Sequence, residues 1–302
     1  MLITTNELCK KYGDKLVIDH VNMNIPEKAI YGFVGENGSG KTTIMRLLTG
    51  LAEPTAGSFQ LFGVDNTDRQ IYEVRRQISA IVETTSLVPT LTARDNMRYA
   101  EYYLGLSLTD EERKALLEKV HLGDVGNKKV KNFSLGMKQR LGIALALLNK
   151  PKLMLLDEPM NGLDPEGIAE LRDLLIALNQ KEGITVLISS HILSELEKIA
   201  SCYGFICKGK LLEELTAQEL QDKCRKSIDV KVDNLSLAEE ALSSLNIKDY
   251  KVSSNGEIHI FENVKIIDLV LAFSKKEIDI LSINSADESV EDYYLNLIKE
   301  AR

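Results

Sequence analysis

Gly35-Glu36-Asn37-Gly38-Ser39-Gly40-Lys41-Thr42 reads G-x-x-x-x-G-K-T. The apolar run Ile30-Tyr31-Gly32-Phe33-Val34 precedes it, and Thr43-Ile44-Met45-Arg46-Leu47-Leu48 follows. Strand, glycine-rich loop and helix is the context in which such a loop cradles phosphate. Gly38 and Gly40 give the backbone conformations that a Cβ would forbid, so several N–H groups can converge on one anion. The following helix adds its positive N-terminal end. Lys41 supplies a charge for the β- and γ-phosphates, and Thr42 a hydroxyl for Mg²⁺. Gly35, Asn37, Gly38, Ser39, Gly40, Lys41, Thr42 and Thr43 are therefore candidate nucleotide-binding residues. The stretch implies a nucleoside triphosphate and is silent on the use of its energy.

The 302 residues allow one large or two modest domains. No apolar run approaches the ~18 residues of a membrane span. The opening Met1-Leu2-Ile3-Thr4-Thr5-Asn6-Glu7 has no basic region followed by an apolar one, so no signal peptide is expected. The chain is expected to be cytoplasmic, with any membrane role reached through a partner. Net charge is −8, and it is unevenly placed: from Glu213 onward there are 19 acidic and 11 basic residues, while the part before is neutral. Neither part has a basic stripe, so nucleic acid is not expected as main partner. Cys9, Cys202, Cys207 and Cys224 lack C-x-x-C spacing and read as reduced, mostly buried thiols.

Ahead of the glycine loop, Leu2–Tyr12, Lys15–Ile18 and Val21–Ile25 suggest an antiparallel β region turned at Gly13-Asp14. Beyond it come a strand between Gly57 and Gly63, a short helix from Ile71 to Arg76, and a strand Ile78–Val82 ending at Glu83. Helical patterns from Thr92 to about Leu104, Asp110 to Val120 and Ser134 to Leu148 form an insertion spanning about 84–150. Lys152–Leu156 and Ile184–Ser189 are short apolar runs typical of buried strands, separated by a helix from Pro165 to about Gln180. A helix to about Ile199 follows, then a hairpin around Gly209. The alternation predicts an α/β fold with a mostly parallel core sheet. Ligands bind such sheets beyond the C-terminal strand ends, where Glu83, Asp157-Glu158 and His191 all fall.

All six prolines lie at or before Pro165, and the texture changes after about Leu215. There the pattern reads helix (Ala217–Lys223), strand (Ser227–Val232), helix (Leu237–Leu245), a hairpin about Asn255-Gly256, helix (Val264–Ser274), strand (Ile278–Ile283) and a final helix (Ser289–Ala301). Residues 1–215 and 216–302 are thus expected to be separate domains, the second a small, ferredoxin-like α+β unit of accessory or regulatory role.

Asp157, at the end of a rigid apolar strand, suits Mg²⁺, and Glu158 can orient or deprotonate an attacking water. Any buried strand can end in acidic residues; the glycine loop gives this pair its meaning. Taken alone, Ser134 is a helix N-cap, Tyr12 a packing aromatic and His191 a structural imidazole.

Together these residues resemble the ATP-binding cassette (ABC) ATPases. Phe133-Ser134-Leu135-Gly136-Met137-Lys138-Gln139-Arg140 is similar to that family's signature, whose common form is L-S-G-G-Q. Asn161-Gly162-Leu163-Asp164-Pro165 resembles its D-loop, His191 its switch histidine and Tyr12 the aromatic that stacks on adenine. The ordered set covers residues 1 to about 215. The resemblance implies ATP and Mg²⁺ as ligands and a head-to-tail homodimer. Each ATP would lie between one copy's glycine loop and the other's Ser134 and Gly136, with Asp164 beside it. It also implies a separate transmembrane permease subunit, which would hold the chain peripherally on the inner face of the membrane. Lys41, Glu158 and His191 would be catalytic, and Thr42, Asp157 and Glu83 the metal-site residues.

The chain departs from the family pattern in two places. The signature has Leu135 and Met137-Lys138 where Gly and Gln are usual, and Glu83 stands where Gln is usual. The Glu variant and the F-S-L-G-M-K-Q-R form resemble ATPases of bacitracin- and lantibiotic-type peptide exporters. The alternatives are an ABC ATPase for another substrate or direction, or a non-transport one. The latter usually carries tandem cassettes or coiled-coil insertions, and neither is visible here.

Overall fold

The computed structural model describes residues 1–83, 85–224, 227–253, 256–262, 264–286 and 290–300. The chain divides into two compact units, Met1–Ala217 and Gln218–Glu300.

The first unit is built on a six-stranded sheet. From edge to edge its strands are Lys210–Thr216, Cys202–Cys207, Ile30–Val34, Thr185–Ser190, Leu153–Asp157 and Ile78–Ile81. The neighbours from Cys202–Cys207 to Ile78–Ile81 are parallel, and Lys210–Thr216 folds back antiparallel as a hairpin. Ile30–Val34 and Thr185–Ser190 are buried along their whole length, which explains runs that are apolar rather than alternating. A second, antiparallel sheet packs Lys15–Val21, Ile3–Tyr12, Ala56–Leu61 and Val64–Asp65 in that order, with Asn24–Ile25 also paired to Ile3–Tyr12. Helix Lys41–Thr49 lies in the core shared by both sheets. Its Ile44, Met45 and Leu48 join one buried cluster with Leu153 and Leu187 of the parallel sheet and Ile18 and Phe59 of the antiparallel one. Burying each such side chain favours the fold by about 1.5–3 kcal/mol, so the loop that precedes this helix is anchored from two sides.

The insertion holds helices Ala93–Leu104, Asp110–Lys119 and Leu135–Leu147. Their starts follow local chemistry. Thr92 caps the first, Thr109 and Glu112 form a reciprocal capping box on the second, and Ser134 caps the third.

One helix is much shorter than expected. The pattern suggested helix to about Ile199, but regular helix covers only Leu193–Leu196. The chain must turn there so that the Ser201 N–H can reach the Ile30 carbonyl at 2.8 Å and start the strand beside Ile30–Val34.

The second unit is a four-stranded antiparallel sheet in the order Tyr250–Val252, Glu257–Ile260, Ser227–Val232, Ile280–Ala286. Helices Leu235–Ser244 and Ile266–Lys275 supply Ala241, Leu242, Leu269 and Phe273 to a core with Val230, Ile258 and Ile260. Numbered along β-α-β-β-α-β, the strand order is 4-1-3-2, the ferredoxin-like arrangement. Asn255 of the expected turn, and Ser289 and Ala301 at the expected ends of the last helix, lie outside the described residues. None of the four cysteines is in a disulfide; Cys9 and Cys207 are buried, Cys202 and Cys224 half-buried.

Candidate active site

The glycine loop leaves strand Ile30–Val34 and enters helix Lys41–Thr49. Gly38 and Gly40 have φ of +80° and +116°, in the region that disfavours any side chain. At Gly40 a Cβ would also lie 2.6 Å from Ile18 Cδ1, whereas at Gly38 it would meet open space. Gly40 is thus fixed by packing as well as by backbone, while Gly38 leaves room above the loop. Lys41 is 5% exposed, and its ammonium donates to the carbonyls of Gly35 at 2.6 Å and Glu36 at 3.1 Å. The hydroxyl of Ser39 is buried and has no hydrogen-bond partner among the described residues.

Two strand ends meet this loop, those of Leu153–Asp157 and Thr185–Ser190. Asp157 closes strand Leu153–Asp157, and its register partner is Ser189 of the neighbouring strand. Asp157 Oδ2 accepts from Thr42 Oγ1 at 2.6 Å, and Oδ1 accepts from Ser189 Oγ at 2.7 Å. The same Ser189 oxygen accepts from the backbone N–H of Glu158 at 2.9 Å. Glu158 has φ +48°, a strained conformation for a side-chain-bearing residue. That conformation accompanies a split carboxylate. Oε1 lies 3.2 Å from Lys41 Nζ, and Oε2 accepts from His191 Nδ1 at 2.8 Å. No donor is aligned on Oε1 among the described residues, so Lys41 acts on it as a charge.

Lys41, Thr42, Asp157, Glu158 and His191 are therefore one connected cluster. The other sequence-derived candidates stand apart from it. Glu83 is 56% exposed, and its carboxylate pairs with Arg46 rather than with Thr42 or Asp157. Tyr12 is 45% exposed near the strand turn, with Lys10 Nζ 5.0 Å from its ring centre. Ser134 accepts from Met137 N at 3.2 Å and Asp164 from Gly167 N at 3.0 Å, each capping its own helix. Gly136 sits over the helix Pro165–Glu182, where a Cβ would find Gly167 Cα no nearer than 3.9 Å. Packing within the chain therefore does not demand glycine at position 136.

Sequence reasoning missed two residues. In the sequence Ser189 is only the end of a strand, because its link to Asp157 depends on which strands are neighbours. Arg46 lies four residues after Thr42, hence on the same helix face, and that spacing was a usable signal.

The donor set fits a hard cation. A hydroxyl and a carboxylate already in contact at a helix start are oxygen ligands of the kind Mg²⁺ takes together with water and phosphate.

Comparison with known proteins places the chain in a family. Residues 18–161 match the family described as ABC transporter. The chain is 41% identical over 302 residues to the bacitracin transport ATP-binding protein BcrA of Bacillus licheniformis, covering 98% of this chain and 97% of that protein. It is 46% identical over 213 residues to the lantibiotic transport ATP-binding protein SrtF of Streptococcus pyogenes, covering 70% of this chain and 90% of that one. A dimeric ATP-binding cassette in a post-hydrolysis state, bound to ADP and Pi, superposes with a TM-score of 0.63 at 26% identity, over 71% of this chain and 98% of its own. Among the described residues no helix is long and apolar enough to cross a membrane. The chain belongs to the ATP-binding subunits of ABC transporters, the ATP-hydrolysing cassettes that drive transport.

Proposed function

We propose that this chain hydrolyses ATP to drive export of a peptide antibiotic or similar drug through a separate membrane-spanning subunit. The observation that carries the chemistry is the single network joining Thr42, Asp157, Ser189, Glu158, Lys41 and His191. The relatives named for bacitracin and lantibiotic transport support the choice of cargo.

In this reading the loop from Gly35 to Thr43 binds the triphosphate, and Tyr12 stacks on adenine. Thr42 and Asp157 would hold Mg²⁺, which supplies positive charge to the phosphate oxygens when bound. Glu158 positions the attacking water and accepts its proton, and Lys41 and His191 offset charge that builds on the γ-phosphate. Displacement at phosphorus is in line: the water oxygen forms the new P–O bond as the bond to the ADP oxygen breaks. The Ser134 hydroxyl, the N-terminus of its helix and Gly136 face the ATP of a second, head-to-tail copy, with Asp164 at the same interface. The segment from Glu83 to Asn96 meets the membrane subunit and holds the chain on the inner face of the membrane. The unit Gln218–Glu300 is accessory or regulatory.

The test is co-expression with the membrane protein encoded beside this chain. Peptide-antibiotic resistance should rise, and Lys41→Ala should abolish the gain. Resistance unchanged by the wild-type pair, despite intact ATPase activity, would contradict the export reading.

A further inference from the structure

We propose that Arg46 is a positioning residue. It holds and neutralises Glu83, so that a carboxylate can occupy this strand end beside a triphosphate. The inference rests on the nucleotide-site reading above and extends it to a residue outside the phosphate loop.

Three observations converge. Strand Ile78–Ile81 runs parallel to Leu153–Asp157, with Ile81 opposite Leu156. Glu83 therefore leaves the sheet at the same edge as Asp157 and Glu158, as a third carboxylate near the seat of a polyanion. Arg46, four residues after Thr42, projects from the same face of the phosphate-loop helix. Its guanidinium meets the Glu83 carboxylate directly. Finally, Glu83 has φ +67°, a left-handed backbone setting that is strained for a side-chain-bearing residue and needs support from its surroundings.

The charge logic is simple. An unpaired carboxylate at this edge repels the phosphates, an interaction that solvent and salt screen without removing. Arg46 converts it into a neutral pair whose position is tied to the helix that binds the nucleotide. Arg46 is 37% and Glu83 56% exposed, so solvent screens the pair and its effect is moderate.

The experiment measures ATP binding to the full chain by calorimetry in EDTA, with no divalent cation and no turnover. Arg46→Gln should weaken binding by about threefold to fivefold. Adding Glu83→Gln to that variant should return affinity to within about twofold of wild type, since no charge then needs compensation. Arg46→Lys should stay near wild type, because it keeps the charge. The penalty should shrink as salt approaches ~1 M. The proposal is overturned if Arg46→Gln binds as wild type does. It is equally overturned if the double variant binds as weakly as Arg46→Gln, which would mean that Arg46 acts on the nucleotide or the fold without Glu83. Failure of wild-type protein to bind ATP would instead contradict the nucleotide site itself.

Discussion

Thr42 Oγ1 donates to Asp157 Oδ2 at 2.6 Å and so joins residues 115 positions apart in the chain. One sits in the first turn of the phosphate-loop helix, the other at the end of a buried strand. The Ser189 hydroxyl holds the second oxygen of Asp157 and also caps the N–H of Glu158. Three elements thus share one carboxylate, and its orientation is set by the sheet and helix rather than by a mobile loop.

Ser189→Ala tests that support. Ser189 is fully buried, and the substitution leaves the Glu158 N–H without its acceptor. A loss of about 1–3 kcal/mol of stability is expected in thermal or urea unfolding. ATP affinity should change little, while kcat should fall by about tenfold as Asp157 and Glu158 lose alignment. Unchanged kcat would remove Ser189 from the account.

The insertion depends on a different pair. Glu101 is buried, and both of its oxygens accept from Arg113, at 2.7 Å each. The hydrogen bond from Arg113, then the Leu108 N–H and the Arg113 charge, hold the Glu101 pKa below its usual value against the opposing effect of burial. A depressed carboxylate pKa stabilises the fold at pH above the unfolded value near 4.5, and the contribution is lost as pH falls through the folded value. Arg113→Met should cost about 2 kcal/mol at pH 7, less than for a deep pair because exposed Asp110 and solvent adjoin it. The difference between variant and wild type should shrink as pH falls below the ordinary glutamate value of 4.5 and through the lower value of the folded state. A pH-independent difference would mean that packing, not the charge pair, is responsible.

Ser134 separates binding from turnover. Its bonds within the chain amount to a helix cap, and Gly136 has room for a Cβ. Ser134→Arg should therefore leave ATP binding by the isolated chain within about twofold. It should abolish ATP-dependent dimerisation, read by light scattering after size exclusion, and lower ATPase activity on the order of a hundredfold. A variant that hydrolyses ATP normally would contradict the shared-site arrangement.

Much of this site was legible because its residues carry local grammar. G-x-x-x-x-G-K-T between strand and helix, an apolar strand ending in Asp157-Glu158, and His191 after Ile188-Ser189-Ser190 each announce a place on the same sheet edge. The small C-terminal sheet was legible too, since strand and helix periods alternate cleanly there. The less legible features depend on pairing across the chain. Ser189 matters because its strand lies beside that of Asp157, a fact of register. Strand ends alone group Glu83 with Asp157, but Arg46 takes its carboxylate. The helix after His191 closes early because Ser201 must reach Ile30, a contact spanning more than half the chain.

The central claim is that Glu158, held between Lys41 and His191, is the group that activates water. Glu158→Gln keeps the side chain's shape and removes its charge and basicity. The decisive measurement is ATP binding and single-turnover hydrolysis on that one variant. Binding should be retained and the rate of phosphate release should fall by roughly a hundredfold or more. Hydrolysis at the wild-type rate with normal ATP binding would contradict the account.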